Sequence, residues 1–165
     1  TQHDIDMAYL LVNHLGIKHY EVNIKAAVDG LLASFPKELE MSTLTRTNLP
    51  PRIRMSTLYA VSQSVNGRVA NTCNLSEDWV GYSTRYGDSA GDVSLLGKLT
   101  VQEVKSLGRE LGLPENLVDK TPSDGLCGST DEQKLGFSYD LTEAQNSRGF
   151  FDHVRTLPRD AKEVL

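Results

Sequence analysis

Three short stretches of the chain hold residue types at spacings that could do chemistry. The first is "NTCNLSE", residues 71–77, which reads as a strand end, a polar turn and a helix start. In parallel α/β sheets ligands bind beyond the carboxyl ends of strands, and the free N–H groups of a helix N-terminus suit an anion. Thr72 offers a hydroxyl there, and Glu77 offers a carboxylate able to share a metal ion with a phosphate. Asn74 and Glu77 are also three apart, as a helix-capping pair would be, so capping and ligand binding both remain open. The second stretch, "RYGDSAGD", residues 85–92, sets charged groups among two glycines. Its spacing lacks the alternating carboxylates and final Glu of an EF-hand, and it matches neither GxxxxGK[ST] nor GxGxxG. By spacing alone it is a polar turn or a substrate clamp. The third is "PPRIRM", in which Arg52 and Arg54 are solvated helix residues or anion clamps; Arg suits bidentate contact with carboxylate or phosphate.

These residues need elements to hold them. Ala8, Leu11, Val12 and Leu15 follow the spacing of one helix face, with Gly16 suited to the position just past its end. "KHYEVNI", residues 18–24, alternates as a strand, with Tyr20, Val22 and Ile24 on one side. Val28, Leu31, Leu32 and Phe35 give a second helix stopped by Pro36. Residues 36–47 read as a loop; Asn48 then caps a third helix, with Pro50 and Pro51 in its first turn and Leu58, Val61 and Val65 on its apolar face. "NG" at 66–67 ends it, and "RVANTC" is a second strand. Asn74 or Ser76 caps the helix carrying Glu77 and Trp79, the latter a packing residue. Thr100 with Glu103, and Ser129 with Glu132, form capping boxes; Val101, Val104, Leu107 and Leu111 line the face behind the first. Helices alternating with strands argue for an α/β domain with a parallel sheet. Two strands rarely make such a sheet, so further strands are expected ahead of Thr1.

Composition bounds the function. The chain has 165 residues, 39% hydrophobic and 24% charged, which is one domain's worth. A net charge of −5 argues against non-specific nucleic-acid binding. No apolar run reaches the length of a membrane span. Cys73 and Cys127 form no CxxC pair and read as free thiols of a reducing, cytoplasmic compartment. His3, His14, His19 and His153 suggest no nucleophile–base arrangement.

Taken in order, "NLPPRIRM", "NTCNLSE", "GYSTRYGDSAGD" and "KTPSDGLCGSTDEQKLGFSYD" closely resemble the synthetase domain of the NAD synthetases, over residues 1–140. The resemblance implies a doubly wound parallel α/β sheet with flanking helices, of the adenine nucleotide alpha-hydrolase type, incomplete at its N-terminus; residues 141–165 form a segment it does not cover. It implies a homodimeric enzyme that uses ATP and Mg²⁺ to adenylate the nicotinate carboxylate of deamido-NAD, after which ammonia displaces AMP. Matched position by position, it implies ATP contacts from Thr72 and Ser123, a magnesium ligand at Glu77, and deamido-NAD contacts from Arg52, Arg85 and Asp92. The chain departs from the pattern in places. Val101 stands where many members carry an ATP-contacting Lys, with Lys98 nearby. His153 is followed by Val154 rather than Lys, and the Ser-Gly-Gly-x-Asp-Ser phosphate loop is absent. A non-catalytic dinucleotide-binding or dimerisation module of this fold, or another ATP-pyrophosphatase-type amidating ligase, is the alternative.

Overall fold

The computed structural model describes residues 1–121 together with Gln133, Leu135, Gly136 and Tyr139. Ser123, Cys127, the Ser129–Glu132 capping box and residues 141–165 lie outside the described residues. In chain order the elements are α1 (Gln2–Leu15), α2 (Lys25–Ser34), α3 (Thr43–Ser64), β1 (Ala70–Asn71), α4 (Leu75–Val80), β2 (Val93–Ser94), α5 (Val101–Glu110) and α6 (Glu115–Val118). The chain divides into two compact units. One contains Thr1–Tyr20, Asn74–Ser76 and the described chain from Leu99 onward; the other contains Glu21–Cys73 and Glu77–Lys98.

In the first unit, α1 ends at Gly16, whose left-handed φ of 60° lets its N–H return to Asn13. Lys120 reaches Asp4 of α1 at 3.0 Å. The Thr100–Glu103 capping box forms as the sequence requires: Thr100 Oγ1 accepts from Glu103 N, and Glu103 Oε2 accepts from Thr100 N. The helix it opens, α5, places Val101 in buried surroundings, and the Val101 N–H donates to Ser76 Oγ at 3.1 Å. Ser76 is fully buried, so this bond gives the Val101 N–H, at the start of α5, an acceptor away from water. Position 101 is thus a packing position in this chain. Gly108 lets α5 and α6 approach: a Cβ there would lie 3.2 Å from Val118 Cγ2.

In the second unit, α2 packs against α3. Helix α3 starts six residues earlier than a cap at Asn48 would place it. Ser42 is its N-cap, with Oγ accepting from Thr45 N at 3.1 Å, and Pro50 and Pro51 lie inside the helix. The difference has a physical source. Proline is best tolerated in a first turn, but a sound cap upstream lets the helix run through two residues that donate no hydrogen bond. Leu58 and Val65, expected on the buried face, are more than half exposed. The strand expected over residues 18–24 is not formed. Tyr20 and Val22 are exposed, and no neighbouring strand is present among the described residues to pair with them. An alternating sequence becomes a strand only where a ladder partner exists.

The second strand lies elsewhere. β1 pairs in parallel with β2, in the register Ala70 to Val93 and Asn71 to Ser94. The connection from β1 through α4 to β2 is the crossover that a parallel pair requires. The two glycines of the "RYGDSAGD" loop, which closes that crossover, both serve close approach. A Cβ on Gly91 would sit 2.7 Å from both Cβ and N of Asn71. A Cβ on Gly87 would sit 2.9 Å from Pro51 Cβ and 3.0 Å from Thr84.

Candidate substrate loop and nucleotide turn

The second unit holds five of the six residues singled out from the sequence: Thr72, Glu77, Arg52, Arg85 and Asp92. Thr72 is exposed directly after β1, and Glu77 is half-buried in the first turn of α4. The crossover therefore presents a hydroxyl and a carboxylate beyond the carboxyl end of a parallel strand, where such folds take ligands. Trp79 on the same helix is 38% exposed and is not a core residue.

The loop is held from three sides. Arg52 on α3 donates from Nε to the Arg85 carbonyl at 3.2 Å, which brings the backbone of one expected substrate-binding cation to the side chain of the other. Thr84 Oγ1 donates to Asn48 Oδ1 at 2.9 Å, again from α3, while Asp88 Oδ1 accepts from Thr84 N and closes a tight turn. Asp92 ties down the far end. Its Oδ2 accepts from Val69 N and its own N–H donates to Val69 O, both at 2.8 Å. Asp92 is thus a structural anchor as well as an exposed carboxylate.

Two residues that shape the loop are not singled out by the sequence. Tyr86 adopts a left-handed φ of 60°, unusual for an aromatic residue, and is largely exposed. The Arg85 guanidinium lies 4.9 Å from its ring centre and donates to its hydroxyl at 3.1 Å, so Tyr86 restrains the Arg85 cation. The other is Asn71, buried at the end of β1. Its Nδ2 donates to the Asp88 carbonyl at 2.9 Å and the Ala90 carbonyl at 3.4 Å, and its Oδ1 accepts from Cys73 N at 2.8 Å. A signal existed in the sequence: Asn is disfavoured in strands, so one at a strand end invites the question of what its amide holds.

The electrostatics beside Thr72 are acidic. Burial pushes the Cys73 thiol up to about 11, and the Glu77, Asp88 and Asp78 carboxylates push the same way against a hydrogen bond from Asn71. Cys73 therefore stays a protonated free thiol at neutral pH, unsuited to nucleophilic work. Among the described residues no three His, Cys, Asp or Glu side chains gather into a protein-only metal cage. A single hard carboxylate in an acidic setting suits a cation whose remaining ligands are phosphate oxygens and water, which is the habit of Mg²⁺. Ser123 lies outside the described residues.

The NAD synthase family profile matches residues 1–146. The NH3-dependent NAD synthetase of Carboxydothermus hydrogenoformans is 36% identical over 167 residues, covering 96% of this chain and 69% of that one. The corresponding Methanosarcina acetivorans synthetase is 41% identical over 137 residues, covering 82% of this chain and 54% of its own length. This chain thus spans from about half to two-thirds of such relatives. Among solved structures, the NMN synthetase of Francisella tularensis superposes with a TM-score of 0.80 at 32% identity, covering 99% of this chain and 66% of that one. The NH3-dependent NAD synthetase of Campylobacter jejuni superposes with a TM-score of 0.69 at 27% identity, covering 98% and 64%. The two-stranded parallel pair with its flanking helices is therefore part of the α/β, adenine nucleotide alpha-hydrolase-like fold of these enzymes, and the chain belongs to the NAD synthase family.

Proposed function

We propose that the protein containing this chain is an ammonia-dependent NAD synthetase. The reading rests on one observation above the rest: a loop carrying Arg85 and Asp92 is fastened to the end of the strand that leads into Thr72 and Glu77. Two anions must meet in this reaction, the nicotinate carboxylate of deamido-NAD and the α-phosphate of ATP. A carboxylate oxygen attacks the α-phosphorus and pyrophosphate leaves; ammonia then attacks the acyl carbon and AMP leaves. Oxide would be too poor a leaving group without the first step.

Each residue has a role in this scheme. Thr72 hydrogen-bonds the nucleotide, and Ser123 adds a second hydroxyl. Arg52 and Arg85 offset the charge of the dinucleotide, an opposite-charge contact at ~4 Å being worth about 4 kcal/mol at an effective dielectric near ~20. Asp92 contacts the acceptor with the face of its carboxylate turned from Val69. Glu77 would hold Mg²⁺, which supplies neutralisation of phosphate charge when bound. Positioning provides the rest, and no covalent enzyme intermediate is required. The protein acts as a homodimer in the cytoplasm, as its resemblance to the NAD synthetases implies; among the described residues no helix is long and apolar enough to cross a membrane. The net charge of −5 gives no reason to expect nucleic acid as a partner.

A second reading concerns the acceptor. The superposition on an NMN synthetase favours testing nicotinic acid mononucleotide as the carboxylate substrate. The full-length protein is to be incubated with ATP, Mg²⁺ and ammonium, with deamido-NAD or the mononucleotide as acceptor, and products separated by chromatography. NAD and AMP in equal amounts are expected from deamido-NAD. Amide product from the mononucleotide alone would replace the first reading with the second, and no amide from either would sink both.

A further inference from the structure

Resting on that reading, we propose that Asn71 is a positioning residue that sets the acceptor loop against the nucleotide turn. Its side-chain amide faces both. The Nδ2 arm holds the loop through the Asp88 and Ala90 carbonyls, at 2.9 and 3.4 Å. The Oδ1 arm holds the turn through Cys73 N, at 2.8 Å, beside Thr72. Asn71 is 8% exposed, so these bonds form away from water, where a lost partner is costly. Gly91 completes the arrangement, since its lack of a Cβ brings the loop backbone against the Asn71 backbone. One rigid amide therefore fixes Arg85 and Asp92 relative to Thr72, and adenylation needs that relation because the two reacting anions are carried by different segments.

The two arms can be separated. Asn71→Asp keeps an acceptor for Cys73 N but turns an oxygen toward the Asp88 and Ala90 carbonyls. Gly91→Ala presses on the same contact with no change of charge and guards against misfolding or a field effect in the first variant. Both are expected to raise KM for deamido-NAD about tenfold while KM for ATP moves less than about twofold, the loss of one buried hydrogen bond being worth roughly one decade. Asn71→Ala, which removes both arms, is expected to raise both KM values. Hydrogen exchange on the ligand-free full-length protein provides a readout independent of activity: amides of residues 87–92 should exchange faster in Asn71→Asp and Gly91→Ala. Equal rises in both KM values for Asn71→Asp, or unchanged loop exchange in both variants, would overturn the proposal. A wild-type protein that forms no amide, yet shows the exchange difference, would refute the assigned reaction and leave the loop attachment standing.

Discussion

Asp92 makes a structural bond with the carboxylate that is proposed to contact the acceptor, and substitution can divide the two roles. Oδ2 accepts from Val69 N at the entry to β1, a structural bond, while the residue remains exposed to a ligand. Asn in its place keeps a carbonyl oxygen for Val69 and gives up the charge. Ala gives up both. Asp92→Asn should therefore keep its melting temperature within about 2 °C of wild type while its KM for deamido-NAD rises tenfold or more. Asp92→Ala should also lose about 1 kcal/mol of stability, the worth of one hydrogen bond. Thermal melts beside steady-state kinetics check this; a destabilised Asp92→Asn with wild-type kinetics would make Asp92 an anchor only. At this scale the sequence nominates Arg52, Arg85 and Glu77 by residue type alone, and Arg52 does lie against the Arg85 carbonyl. The sequence says little about Asn71 and Tyr86, whose meaning lies in partners fifteen or more residues away or in a backbone angle.

Between elements, the Pro50–Pro51 pair matters as a surface as much as an irregularity in α3. Pro51 is buried, and its ring is what Gly87 meets. A proline face has no N–H to satisfy, so a loop can lie flat on it. Gly87→Ala would set a methyl 2.9 Å from Pro51 Cβ and 3.0 Å from two Thr84 carbons, none of which is the free end of a long side chain. The loop must shift, at a cost of about 1–3 kcal/mol. Urea unfolding should show a lower midpoint with an unchanged slope, and an unchanged midpoint would mean that the loop is not seated on α3. Local signals served well at the element scale where they were self-contained. The Thr100–Glu103 box and the Gly16 stop both formed as read. They failed where the decision is tertiary. "KHYEVNI" has the alternation of a strand without a partner, and Val93–Ser94 has a partner but is too short to show alternation.

For the molecule as a whole, burial sets the last expectation. Among the described residues the buried apolar side chains are Val69, Val80, Val101, Val118, Leu135 and Tyr139. Many more large apolar groups are exposed, including Leu95 at 75%, Leu111 at 67% and Leu58 at 55%. Helices α1 and α2 bury no residue fully, although both carry the apolar spacing of a packed face. Scattered exposed apolar residues are ordinary, but a set this large on a chain of 165 residues calls for cover from further polypeptide or a second subunit. Relatives in which this chain corresponds to 54–69% of the length have further polypeptide available for it. The 165-residue chain expressed alone is therefore expected to self-associate in sedimentation velocity and to enhance the fluorescence of a hydrophobic dye. The full-length protein should sediment as one discrete species with much weaker dye binding. A dye-silent, monodisperse monomer of the isolated 165 residues would show instead that this apolar surface needs no cover. The proposed homodimer would then have to form through a different face of the protein.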